Sequence, residues 1–219
     1  MSNSIIQLLV LAGIAVFLIL KLRNVLGTRD GFEGQPQPAP LPSGKTRRDF
    51  EVIEGGPDRD ITDHTPEGSD SAKALAAMKL VEPSFSVSGF LQGARGAYEM
   101  ILTSFAKGEM DKIRPFLAPD VEQSFEAVLA DRKARGLTVS SDFIGLRELA
   151  LQSAQFDRSD NTAEITVRFV GELVSATRDN SGQVIEGDPK SARKQRDIWT
   201  FERKMGADDP NWQLVATGE

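Results

Sequence analysis

Few residues in this chain carry the chemistry of a reacting group, and their types limit what they can do. There is no cysteine and one histidine, His64. A thiolate metal site, a disulfide framework and a cysteine nucleophile are excluded, and a single histidine disfavours a multi-histidine metal site or a Ser-His-Asp triad within one chain. Tyr98, the single tyrosine, falls on the apolar stripe of a helical segment. Its hydroxyl could meet Glu99 or a strand carboxylate; the plainer reading is a core aromatic whose hydroxyl finds a polar partner. Asp197 adjoins Trp199 and Phe201 and would be a general base if it faced an apolar interior. A solvated partner of Arg196 or Arg203 is the plainer role. No Gly-rich phosphate loop, EF-hand or metal-spaced cluster is present. The expectation is a protein without catalytic residues, metal or cofactor.

Binding chemistry is better represented. Lys190, Arg193, Lys194 and Arg196 cluster just before a predicted strand. Beside a membrane they would attract anionic headgroups at about 1 kcal/mol each; the alternative is protection of a sheet edge by charge. The net charge of −6, without a nucleic-acid motif, disfavours nucleic acid as the main partner.

These residues are carried by three regions. Residues 1–27 hold a nearly unbroken apolar run, Ile5 to Leu20, interrupted only by Gln7 and Gly13 and followed by Lys21 and Arg23. At about 1.5 Å per residue such a helix just reaches bilayer thickness. Basic residues follow the run instead of preceding it, which argues against a cleaved signal and places the N-terminus outside and the body in the cytoplasm, at the inner membrane. Residues 28–81 have the composition of a linker. Six prolines lie between Pro36 and Pro66, large apolar residues are scattered, and Ser71 to Val81 is the one stretch able to form a short helix. His64 sits there as a solvated linker histidine.

Residues 82–219 read as one domain. Phe90, Leu91, Ala94, Ala97, Tyr98, Ile101, Leu102 and Phe105 recur at helical spacing, with Ser86 or Ser88 as N-cap and Gly108 as C-terminal glycine. A second helix starts at Ala118-Pro119-Asp120 and ends before Gly136. The period then changes to two. Leu146 to Phe156 and the alternation of Ala163, Ile165, Val167 and Phe169 predict strands, Asp179 to Gly182 a turn, and Arg193 to Lys204 and Trp212 to Thr217 two more strands. Helices followed by antiparallel strands give an α+β domain, a curved sheet closed into a cone. Tyr98, Ile101, Phe105, Phe125, Phe169, Trp199 and Trp212 are the candidate walls of an apolar ligand or peptide pocket in it.

The stretch EPSFSVSGFLQGARGAYEMILTSFAKGEMDKIRPFL from Glu82, EGDP at Glu186 to Pro189, DIWTFER at Asp197 to Arg203 and DPNWQLVAT at Asp209 to Thr217 resemble one family. It is the C-terminal domain of the mitochondrial inner-membrane import-motor anchor, the Tim44 family, in its bacterial TimA-like branch. The resemblance implies a fold related to nuclear-transport-factor-two and cystatin-like cones, with a large apolar pocket. It also implies non-enzymatic work at a membrane as an adaptor or scaffold in protein translocation, insertion or assembly. Partner proteins, anionic lipid and, in another branch, the ribosome are the implied contacts. The regions through which the mitochondrial protein recruits a chaperone have no counterpart here. A small-ligand carrier or an enzyme using the cone is the alternative from a different class.

Overall fold

The structure, a computed structural model, describes residues 56–218, so the expected N-terminal anchor lies outside the described residues, among which no helix is long and apolar enough to cross a membrane. The longest helix among the described residues begins where the Ser86 side chain accepts the Gly89 N–H at 3.1 Å and runs Val87–Lys107. It stops at Gly108, whose φ of 73° is a left-handed cap that a side chain would disfavour. Among the described residues two helices precede it, α1 (Arg59–Thr62) and α2 (Asp70–Val81), making the long one α3. After it come α4 (Met110–Ile113), a 3-10 turn at Arg114–Phe116, and α5 (Pro119–Ala134), entered through a proline as the sequence predicts.

Five strands follow: β1 (Thr138–Asp157), β2 (Thr162–Arg178), β3 (Val184–Gly187), β4 (Arg193–Lys204) and β5 (Gln213–Gly218). They form one antiparallel sheet in the order β1-β2-β4-β5, with β3 on the far end of β2. Strand alternation sends Ala163, Ile165, Val167 and Phe169 of β2 and Trp199 and Phe201 of β4 to one face, where all are buried. Phe90, Leu91, Ala94, Tyr98 and Ile101 of α3 complete that core. The other face is polar, with Thr166 and Thr200 hydroxyls 3.0 Å apart across β2 and β4. The architecture is α+β.

The expectation of a linker through residue 81 is corrected from Asp58 onward. Leu75 and Met78 of α2 are fully buried, Ile61 of α1 nearly so. The Ser71 hydroxyl accepts the Ala154 N–H of β1 at 3.1 Å. The firmest tie is Asp60. Its carboxylate accepts the Val87 and Ser88 N–H groups at 2.8 and 2.9 Å and the Ser88 hydroxyl at 2.7 Å. Lys79 lies 2.7 Å from both Asp58 and Asp60. Burial pushes the Asp60 carboxyl up, but the Lys79 ammonium and the donors from Ser88 and Val87 outweigh it and hold the group well below the usual range. An acidic side chain brought from 27 residues upstream thus satisfies first-turn donors of α3. His64 is beside this cap, with Nε2 3.3 Å from the Ser88 hydroxyl, rather than on a free linker.

Candidate functional site

The first half of α3 places Gly89, Gly93 and Ala97 four residues apart, on one stripe of the helix. A Cβ added at Gly93 would meet nothing within 4 Å, and one at Gly89 would meet only Ser86, at 3.6 Å. The stripe is therefore the bare floor of a groove of about 410 Å³. Phe85, Phe90, Phe116, Phe201 and Trp212 wall it. Trp212 holds the wall together: its ring centroid is 4.7 Å from that of Phe90 and 6.1 Å from that of Phe85.

One end is charged. Arg203, its side chain only 8 % exposed, lies with its guanidinium carbon 5.4 Å from the Trp212 ring centre. Its Nη2 donates to Glu82 and its Nη1 to the Pro210 carbonyl at 3.1 Å, while its buried Nε has no partner among the described residues. Burial raises the Glu82 carboxyl; the Arg203 hydrogen bond, the Gly206 N–H and the Arg203 charge together bring it below the usual range. An aromatic trough over exposed helix backbone, closed by a fixed ion pair, is suited to gripping an apolar segment. Glu82 is committed to Arg203 and Gly206 and is not free to act as a base.

Of the seven expected pocket residues, Trp212 alone lines this groove. Of the others, Tyr98, Ile101, Phe169 and Trp199 fill the interior expected to be hollow, while Phe105 and Phe125 are half-buried beside it. Tyr98 stacks on Phe169 at 4.4 Å with 5° between the rings, and Trp199 closes on both at 4.8 and 5.6 Å. Ile101 is 1 % exposed. Phe105 and Phe125 pack at 4.4 Å between α3 and α5, with Arg132 over the Phe105 ring. The reason is direct: α3 packs on the buried face of the sheet, and Tyr98 of its apolar stripe occupies the volume a ligand would need.

Asp197 also departs from its expected place. It is buried and accepts the Tyr98 hydroxyl at 2.5 Å and the Gln195 amide at 3.0 Å. Alternation puts it on the face opposite Arg196, and Arg203 is six residues along the same strand, roughly 20 Å away. Burial, then the Asp197 hydrogen bond and charge, push the Tyr98 hydroxyl far above its ordinary value. The pair is sealed in the core, with Gly171 beneath it: a Cβ there would come 2.8 Å from the Tyr98 oxygen.

The basic quartet divides. Arg193, Lys194 and Arg196 line a second concavity along β4 with Arg147 and Arg168, whereas Lys190 lies outside it, in the turn after β3. Sequence reasoning missed Phe85, Phe116, Glu82 and Arg203 in the groove. The glycines at 89 and 93 within an otherwise apolar helix were the available signal.

The Tim44-like domain matches residues 71–219, from the second residue of α2 to the end of the chain. The chain belongs to the Tim44-like domain family. A human relative, mitochondrial import inner membrane translocase subunit TIM44, is 23 % identical over 150 residues, covering 67 % of this chain and 33 % of that protein. The chain thus spans about a third of the length of that relative. Among solved structures, the intermembrane space region of the chloroplast protein ARC6 is similar over 58 % of this chain and 93 % of its own, with 12 % identity and a TM-score of 0.40. The Tim44-like domain contains the groove and α2, while Asp60 lies upstream of the matched residues.

Proposed function

We propose that this chain is a membrane-associated, non-enzymatic adaptor whose Tim44-like domain binds polypeptides during translocation, insertion or assembly at the inner membrane. The observation that supports it most is the groove over Gly89, Gly93 and Ala97. Mid-helix glycine costs about 1 kcal/mol relative to alanine. Here the space gained is occupied by no other part of the described chain. A partner's apolar side chains would lie against the α3 backbone, between Phe85, Phe116 and Trp212. In this reading the first 27 residues hold the domain at the membrane, and the partner is a polypeptide of the translocation apparatus or one in transit. The enzyme reading loses its named pair, because the Tyr98 and Asp197 oxygens are turned to each other inside the core.

A photoreactive side chain at position 93 of the membrane-bound, full-length chain tests this against a polypeptide arrested in translocation. The expected result is a crosslink to its apolar segment that falls several-fold in Trp212→Ala and on deletion of Met1 to Gly27. Crosslinks of undiminished yield in both variants would refute the assignment.

A further inference from the structure

The second concavity borders a stretch of backbone that the fold leaves half paired. β4 is hydrogen-bonded to β2 along its whole length, but β5 accompanies it only from Glu202 to Ile198. From Arg193 to Asp197 no described strand pairs with its other edge. Every second residue there directs its N–H and C=O away from β2, as a template for one more strand.

The side chains say what kind of strand would fit. Lys194 and Arg196 share the polar face of the sheet and stand opposite Glu172 and Val170. The acidic groups nearest them are already committed. Glu172 accepts Arg147 Nε at 2.8 Å, Glu148 is paired with Arg168, and Asp197 is held by Tyr98 and Gln195. Arg193, Lys194 and Arg196 have no carboxylate within 4.0 Å among the described residues, in a chain of net charge −6. They rim a concavity of about 950 Å³ whose lining includes Val170 and Leu173.

We propose that the free edge of β4 at Arg193–Asp197 accepts an extended acidic segment of a partner polypeptide as an added strand. Backbone hydrogen bonds supply its register, and alternate carboxylates meet Lys194 and Arg196. The same cations repel a second copy of this edge, so the device selects an acidic guest while discouraging self-pairing. This surface shares no lining residue with the groove over α3.

The test uses the full chain in neutral detergent and two synthetic peptides of equal charge, acetyl-(Glu-Val)4-amide and acetyl-(Glu-Pro)4-amide. The second lacks every other N–H, and its prolines hold φ at about −65° and cannot sit within a regular ladder, so it is the poor strand former of the two. Expected is binding of the Glu-Val peptide at low salt with slowed amide exchange at residues 193–197, and at least tenfold weaker binding of the Glu-Pro peptide. Lys194→Glu with Arg196→Glu, both exposed positions, should lower Glu-Val affinity at least tenfold with an unchanged melting temperature. Equal binding of the two peptides would reduce the site to unspecific charge and overturn the proposal. Absence of binding, protection elsewhere, or equal protection of residues 193–197 by short-chain phosphatidylglycerol without peptide would overturn it as well.

Discussion

Replacing Asp60 measures how far the folded body extends upstream of the Tim44-like match. Asp60 accepts two backbone N–H groups of the first turn of α3 and two serine hydroxyls, and it pairs with Lys79. Loss of an N-terminal helix cap costs about 1–2 kcal/mol, and hydrogen bonds to a charged group contribute roughly 1.5–3 kcal/mol each. They are not additive, and Lys79 keeps Asp58, so Asp60→Ala should cost about 3 kcal/mol. For a domain of this size that lowers Tm by roughly 6–12 °C. The pH dependence gives the sign. The folded-state pKa of Asp60 lies below its unfolded value, so its stabilisation is complete above the unfolded pKa, near 4, and is lost as pH falls toward the folded value. Urea unfolding of the wild type and Asp60→Asn between pH 7 and pH 2.5 should show their stability difference shrinking below about pH 4. A cost of Asp60→Ala under about 1 kcal/mol, or a difference independent of pH, would refute the view that this carboxylate locks α1 and α2 onto the body.

Gly93→Ala should raise stability by about 0.5–1 kcal/mol in chemical denaturation, because the added methyl meets open space in a helix, while weakening capture in the groove. Tyr98→Phe leaves Asp197 buried with Gln195 as its remaining hydrogen-bond partner, and should cost about 1.5–3 kcal/mol by the same measurement. Gly171→Ala drives a methyl to 2.8 Å from the Tyr98 oxygen and should cost roughly 1–3 kcal/mol. In Gly171→Ala with Tyr98→Phe the offending oxygen is gone, so the double variant should be more stable than the sum of the single costs by about 1 kcal/mol.

What could be read from the residues followed from local pattern. The caps of α3 at Ser86 and Gly108, the proline entry to α5 and the inward alternation of Ala163, Ile165, Val167 and Phe169 each depend on neighbours in the chain, and each stands where expected. β1 begins at Thr138 and not at Leu146, because register shifts after Phe143 and Leu146 break the two-residue period that reveals a strand. The helix expected over Ser71 to Val81 stands as α2, but α1 and the docking of both helices on the body were obscured for another reason. Their stability comes from Asp60 and Lys79 meeting α3 and from Leu75 and Met78 reaching the core, contacts that no local composition encodes. The site followed the same division. Aromatic residues at core spacing were recognisable as buried, but spacing cannot distinguish a side chain that fills a hollow from one that lines it. Tyr98 and Phe169 fill; Trp212, from the segment just ahead of β5, lines.

The carboxylate lock on α3 also fixes a mechanical route. Chain arriving from the N-terminal side is fastened at Asp58 and Asp60 before it reaches any strand, and the helix end they hold contributes Ser86 and Gly89 to the lining of the groove. A pull delivered along the leading residues would load a few ionic and polar links first, leaving the strand ladder unstressed until they part. The groove would feel tension before the sheet does.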